Sequence, residues 1–168
     1  MVIPLGMFLV TNTRMHISDP CYDYIISGAV TLEGVLPGKY IATRTVYNVG
    51  FWNSRTAKLS VQHVDYQNIA PKNFSGNIAV DSGQAGFFDD LFYQQNQGGD
   101  FGDLTTFFGL ACSLTLSDNH GGIINNRGVV SDTGLGDGSY DLFTGENSEG
   151  KIVAASIIFI DESELEEC

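Results

Sequence analysis

The chain has 168 residues, of which 43% are hydrophobic and 11% aromatic, with 20 Asp and Glu against eight Lys and Arg and a formal net charge of −12. That length suits one domain, and a chain of this size buries roughly 70% of its unfolded surface, so a packed core is expected rather than disorder. The acidity disfavours nucleic acid and anionic membranes, which are bound through clustered Lys and Arg; it leaves basic proteins and divalent cations open as partners, with solubility alone as the simpler reading of the charge.

Met1 to Val10 is apolar but lacks the basic flank and cleavage site of a signal peptide, and it is too short to span a bilayer. Val2–Val10 is therefore read as a strand and the protein as cytoplasmic. Arg14–Ile17 is a second strand, ended by Ser18-Asp-Pro-Cys21, where Pro20 removes a donor and biases Asp19 toward extended geometry. Tyr22–Ile26 and Ala29–Leu32 are expected to pair across Ser27-Gly28, and Leu36-Pro-Gly38 to turn. Lys39–Asn48 and Arg55–Val64 alternate as half-buried strands do, the second with Ala57, Leu59, Val61 and His63 on one face.

Residues 65–76 read as a loop and Asn77–Asp81 as a short strand. Between Gly86 and Gln97, Phe87, Phe88, Leu91 and Phe92 recur at helical spacing, with Asp89 and Asp90 placed to favour a first turn. Leu104–Phe108 suggests another helical turn, Ala111–Leu116 a strand, and 117–126 a polar loop. Residues 128–160 are expected to form a three-strand meander: Gly128–Val130, Asp141–Thr144 and Ile152–Ile160, with a hairpin at Asp137-Gly138. Ile152–Ile160 is apolar on both faces, which predicts a central strand covered on both sides. At least one of Gly136 and Gly138 is expected to have φ > 0.

These elements imply a mainly β fold, an antiparallel β-sandwich or partly open barrel with one or two short helices. Residues 1–160 form the domain and 161–168 an acidic C-terminal tail. Cys21, Cys112 and Cys168 are odd in number and widely spaced, which favours free thiols in a reducing compartment. Cys21 and Cys112 read as small hydrophobes, Cys168 as an exposed terminal residue, and none as catalytic.

Four phrases occur in order: Ser18-Asp-Pro-Cys-Tyr22, Leu36-Pro-Gly-Lys-Tyr40, Val80-Asp-Ser-Gly-Gln-Ala-Gly-Phe-Phe-Asp89 and Gly134-Leu-Gly-Asp-Gly-Ser-Tyr140. Together they resemble the bacterial and phage family called domain of unknown function 4241, over most of residues 15–161. The resemblance implies a compact, mostly β domain and no activity. Asp132-Thr133, where that pattern has Ser-Gly, is a departure from it.

Each phrase sets an aspartate beside a turn: Asp19, Asp81, Asp89 and Asp137. Converging from strand ends they would hold Ca²⁺ or Mg²⁺, or act as an acid/base pair. Separately they would cap turns and helices through backbone N–H groups, which is the expectation here. Ser82 and Ser139 match no nucleophile elbow, and His16, His63 and His120 are far apart in sequence. His63 is expected to be a hydrogen-bonded core histidine, and His120 a loop residue. The Gly134-x-Gly-x-Gly138 run lacks the helix or cation of a phosphate loop. Trp52, with Tyr47, would stack on a sugar or anchor a partner if exposed, and packs under a loop otherwise. Arg44 and Arg55 are expected to pair with aspartates. No catalytic or cofactor-binding residue is assigned. The reading is a non-enzymatic interaction domain that contacts a protein partner through an acidic surface. The alternative is a metal-assisted hydrolase on clustered aspartates.

Overall fold

The computed structural model describes residues 1–48 and 54–165, so Trp52 and Cys168 lie outside the described residues. Six strands form the first sheet: β1 (Val2–Val10), β4 (Gly38–Asn48), β5 (Ser54–His63), β11 (Ile152–Ile158), β10 (Gly138–Glu146) and β6 (Asn73–Val80), in that spatial order. Five form the second: β3 (Val30–Glu33), β2 (Arg14–Ser18), β7 (Gln84–Asp89), β9 (Gly128–Asp132) and β8 (Gly121–Ile124). All pairings between these strands are antiparallel. The fold is a mainly β sandwich, as the spacing of turns implies.

The inner faces of the two sheets meet in a core that includes Phe8, Ile17, Tyr40, Leu59, Phe87 and Ile157. The other face of the second sheet is covered by helices α1 (Asp90–Gln95) and α2 (Phe107–Thr115), which enclose a smaller cluster of Phe88, Phe92, Tyr93, Phe107, Ala111, Ile124 and Val130. The result is three layers: sheet, sheet, helices. A short helix α3 (Glu162–Leu165) follows the last strand, with Asp161 Oδ1 accepting from Ser163 N at 3.1 Å. Among the described residues no helix is long and apolar enough to cross a membrane.

The third layer explains the main departures from the sequence reading. Phe87 and Phe88 belong to strand β7, not to a helix beginning at Gly86; Phe87 enters the sandwich core and Phe88 the helix-side cluster. A strand buried on both faces loses its period-two alternation, and its run of aromatics then imitates a helix face. The helix begins only at Asp90, with Asp89 as N-cap. Conversely Ala111–Leu116 is the end of α2 and its C-cap, a buried helix whose small apolar residues gave no period.

Other corrections are topological. Tyr22–Ile26 lies in turns, with Ile25 92% exposed, and β3 pairs with β2 instead. Loop 65–76 gives way to β6 at Asn73, and loop 117–126 contains β8. Strand β9 sits in the second sheet, so residues 133–137 cross between sheets and only β10 and β11 form the expected hairpin partners. In that crossing Gly136 has φ +88°, as expected for one of the pair, while Gly134 has φ +73°. Thr133 Oγ1 and Tyr140 Oη both donate to the Gly136 carbonyl, at 2.6 and 2.7 Å. These two side chains order the turn.

Strand β11 is central, between β5 and β10. Val153, Ala155 and Ile157 are buried toward the core side, while Ala154 and Ser156 lie under residues 67–71, which fold over the outer face. Gln62 Nε2 holds that flap by donating to the carbonyls of Tyr66 and Ile69 at 3.0 and 2.9 Å. His63 is a core histidine: its Nδ1 accepts from Asp65 N at 3.1 Å, so Nε2 carries the proton and donates to Pro37 O at 3.0 Å.

Candidate functional site

The four turn aspartates take different positions. Asp19 is fully buried and accepts from Cys21 N, Asp81 N, Ser82 N and Ser82 Oγ at 2.6–2.8 Å. Its carboxylate thereby closes the turn between β6 and β7 onto the end of β2. Asp81 accepts from Tyr22 Oη at 2.7 Å. Asp89, also fully buried, caps α1 through Leu91 N at 3.1 Å and accepts from Thr11 N, Thr11 Oγ1, Asn12 Nδ2, Arg127 Nε and Arg127 Nη2. It stands at the far end of β7, about 16 Å of strand from the Asp19 corner. Asp137 is exposed, next to Gly138, which pairs with Val80. The backbone thus brings Asp19, Asp81 and Asp137 to one corner and leaves Asp89 apart. Among the described residues no three His, Cys, Asp or Glu side chains form a group able to hold a metal.

Both described cysteines are free. Burial beside Asp19 pushes the Cys21 thiol up to about 12, so it is protonated and unreactive at neutral pH. The Cys112 thiol is also raised by burial, and its sulfur accepts from Gln84 Nε2 at 3.3 Å.

Two groupings were not legible in the sequence. One is buried: His16 lies against Tyr24 and Tyr93 with ring centroids 4.8 and 4.4 Å away, and its Nδ1 is 3.0 Å from Thr31 Oγ1. Asp90, 1% exposed, lies beside it with Oδ1 at 4.0 Å, held by Arg14 and Gln94. Burial drives the His16 pKa down to about 4, so the ring is neutral at pH 7. This is a packed polar pair under α1.

The other opens to solvent. At one end of the sandwich a cavity of about 520 Å³ is lined by Arg44, Ser54, Arg55, Asp118, His120 and Asp132 together with the start of β1. Strand β4 supplies Arg44, the start of β5 supplies Arg55 and Thr56, and the β8–β9 hairpin supplies His120 and Asp132 from the opposite sheet. His120 Nδ1 is 3.1 Å from Asp132 Oδ2, while Thr56 Oγ1 donates to Asp132 Oδ1 and accepts from Arg44 Nη1 at 2.7 Å. His120 has φ +54°, uncommon for a residue with a side chain. Among the described residues Ser54 makes no side-chain hydrogen bond with His120, whose Nδ1 faces Asp132. The expectation that Arg44 and Arg55 pair with aspartates is corrected: Arg44 bonds Thr56 and Arg55 bonds the Gly134 carbonyl at 3.1 Å. A hairpin signal at Asn125-Asn126, both with positive φ, would have placed His120 opposite Asp132.

A third surface lies on the outer side of β10. Leu135, Asp137, Asp141, Phe143, Ile158 and Asp161 border a shallow cavity of about 450 Å³ whose lining includes no Lys or Arg. Phe74, 61% exposed on neighbouring β6, meets Phe143 edge to face at 5.9 Å. Leu135 is 59% exposed.

No family model, no curated protein and no solved structure matches the chain. The resemblance to domain of unknown function 4241 rests on its four phrases.

Proposed function

We propose that the protein is a non-enzymatic interaction domain that docks a basic segment of a protein partner on the outer face of β10. The observation that carries this reading is the composition of that face: Asp137, Asp141 and Asp161 surround Leu135 and Phe143, with no cation among the lining residues. Exposed aromatic and aliphatic side chains supply the anchors that give affinity, and surrounding carboxylates select a cationic partner and speed its approach. Each rim ion pair adds only about 0.2–1 kcal/mol, so the apolar anchors must provide most of the affinity. The alternative, a metal-assisted hydrolase on clustered aspartates, has the shared corner of Asp19, Asp81 and Asp137 in its favour, against which Asp19 is engaged by turn donors and Asp89 stands apart as a helix cap.

The test is calorimetric titration with a synthetic peptide of alternating lysine and leucine. Binding should weaken as salt rises, and should fall about tenfold in a variant carrying Asp141→Asn, Asp161→Asn and Phe143→Ser. Equal affinity in wild type and variant overturns the reading.

A further inference from the structure

We infer that the cavity at the open end of the sandwich binds a small oxyanion, a phosphate monoester or a carboxylate, received by Arg44 with Arg55 and His120 around it. This goes beyond the docking reading and rests on different residues.

Arg44 is 5% exposed, and among the described residues its side chain makes one hydrogen bond, to the neutral hydroxyl of Thr56. Its Nε is buried without an acceptor, and among the described residues no carboxylate lies within 4.0 Å of its guanidinium. A buried cation without a partner is costly, and such charges in folded proteins are paired. Asp132 is the nearest electrostatic counterweight, but its two oxygens are held by Thr56 and His120. The guanidinium lines a cavity open to solvent, so an entering oxyanion supplies what the chain does not. A planar fork of N–H donors suits carboxylate and phosphate geometry.

The surroundings fit the same ligand. Two of the eight Lys and Arg residues in a strongly acidic chain line this one cavity. With His120 Nδ1 3.1 Å from Asp132 Oδ2, the ring's Nε2 is the nitrogen left to meet a ligand. Strained backbone at His120 is a feature that clusters at binding sites. Asp118, also in the lining, limits the charge the site accepts and favours a small ligand over an extended polyanion.

The experiment follows thermal unfolding and calorimetric binding in sodium phosphate, in sodium succinate, and in sodium chloride at matched ionic strength. Phosphate or succinate should raise the melting temperature above the chloride control, since a ligand of the native state stabilises it. A phosphate response points to phosphate monoesters and a succinate response to carboxylates. Arg44→Met should abolish the rise, and Arg55→Gln should weaken binding about tenfold, the loss of one charge-assisted hydrogen bond. Without anion, Arg44→Met should melt at or above wild type, because an unpaired buried charge has been replaced by an apolar side chain. If Arg44→Met does not fold, Arg55→Gln and His120→Gln carry the test. Lys72→Gln should leave the anion response unchanged. No rise beyond chloride, or a rise that survives in Arg44→Met or in both other cavity variants, overturns the inference. The β10 face variants should retain the anion response, so failure here and failure of the docking reading are distinguishable.

Discussion

Arg44 and Asp132 face each other across the end of the sandwich through one hydroxyl: Thr56 Oγ1 accepts from the guanidinium and donates to the carboxylate. A cation from the first sheet and an anion from the second are thereby linked by a neutral atom. Thr56→Val keeps the shape and removes the link, leaving a buried Arg44 donor without its acceptor. The expected loss is about 2–3 kcal/mol in urea unfolding, and Thr56→Ser should stay within about 1 kcal/mol of wild type. A valine variant as stable as wild type would mean that water takes the hydroxyl's place.

Asp89 joins three segments that are distant in sequence. Its oxygens bind the β1–β2 turn through Thr11 and Asn12, the start of α1 through Leu91, and the β8–β9 turn through Arg127. Burial alone would raise its pKa, but the hydrogen bonds from Thr11 and the Arg127 guanidinium outweigh burial and hold it below the usual carboxylate value. Asp89→Asn presents an amide to Arg127 and should cost about 3 kcal/mol at pH 7. Arg127→Met leaves four donors on the carboxylate and should cost less. The sign with pH is fixed by the lowered pKa: the contribution is present above the unfolded value of 3.8 and is lost as pH falls through the folded one. The stability gap between wild type and Asp89→Asn should therefore narrow in acid. A gap that does not change between pH 7 and pH 2 would contradict this role.

How much was legible depended on whether an element has one wet face. Residues 55–64 alternate because β5 buries Ala57, Leu59, Val61 and His63 and turns Lys58, Ser60 and Gln62 outward. The cap of Asp89 on α1 and the local bond of Asp19 to Cys21 N were legible too, since an aspartate at a helix start or in a turn bonds nearby N–H groups. The bonds of Asp19 to Asp81 and Ser82, distant in sequence, were not. Phe87 and Phe88 were misread because two different cores receive them. The oxyanion cavity was legible only in halves: Arg44 and Thr56 meet on paired strands of the first sheet, and His120 and Asp132 meet across the β8–β9 hairpin. The two halves come together only through the packing of one sheet on the other, and that packing leaves no pattern in local spacing. The partners of Arg44 and Arg55 were misjudged for the same reason: composition offered many aspartates, and topology offered a hydroxyl and a carbonyl.

The two glycines between β9 and β10 and Gly138, the first residue of β10, should rank by geometry. Gly134 has φ +73°, and a Cβ there would lie 2.1 Å from the Thr56 carbonyl oxygen, which is backbone and cannot yield. Gly136 has φ +88° but open space around it, and a Cβ at Gly138 meets nothing nearer than Tyr140 Oη at 3.4 Å. Gly134→Ala should cost more than about 3 kcal/mol, Gly136→Ala about 1–2 kcal/mol, and Gly138→Ala less than about 1 kcal/mol. Urea midpoints of the three variants check the order. Gly138→Ala proving the most damaging would show that the crossing between sheets has a different conformation.

His16 gives a prediction on the acid side of neutrality. Burial among Tyr24, Tyr93 and Thr31 lowers its pKa from 6.5 to about 4; nearby Asp90 opposes the shift and Arg14 adds to it. Between those two values the unfolded chain binds a proton that the folded chain refuses. Stability must therefore fall as pH drops through 6.5 toward 4, by as much as about 3 kcal/mol in total if His16 alone were responsible. The direction is opposite to that of a histidine stabilised by its carboxylate, because desolvation outweighs Asp90 here. His16→Phe fills the same space between the two tyrosines and removes the titrating group. Its stability should be nearly level between pH 7 and pH 5, while wild type declines over that interval. Carboxylates with low pKa values, Asp89 among them, titrate below this window and leave the comparison clean. A variant that declines as steeply as wild type would place the acid-sensitive proton on another group.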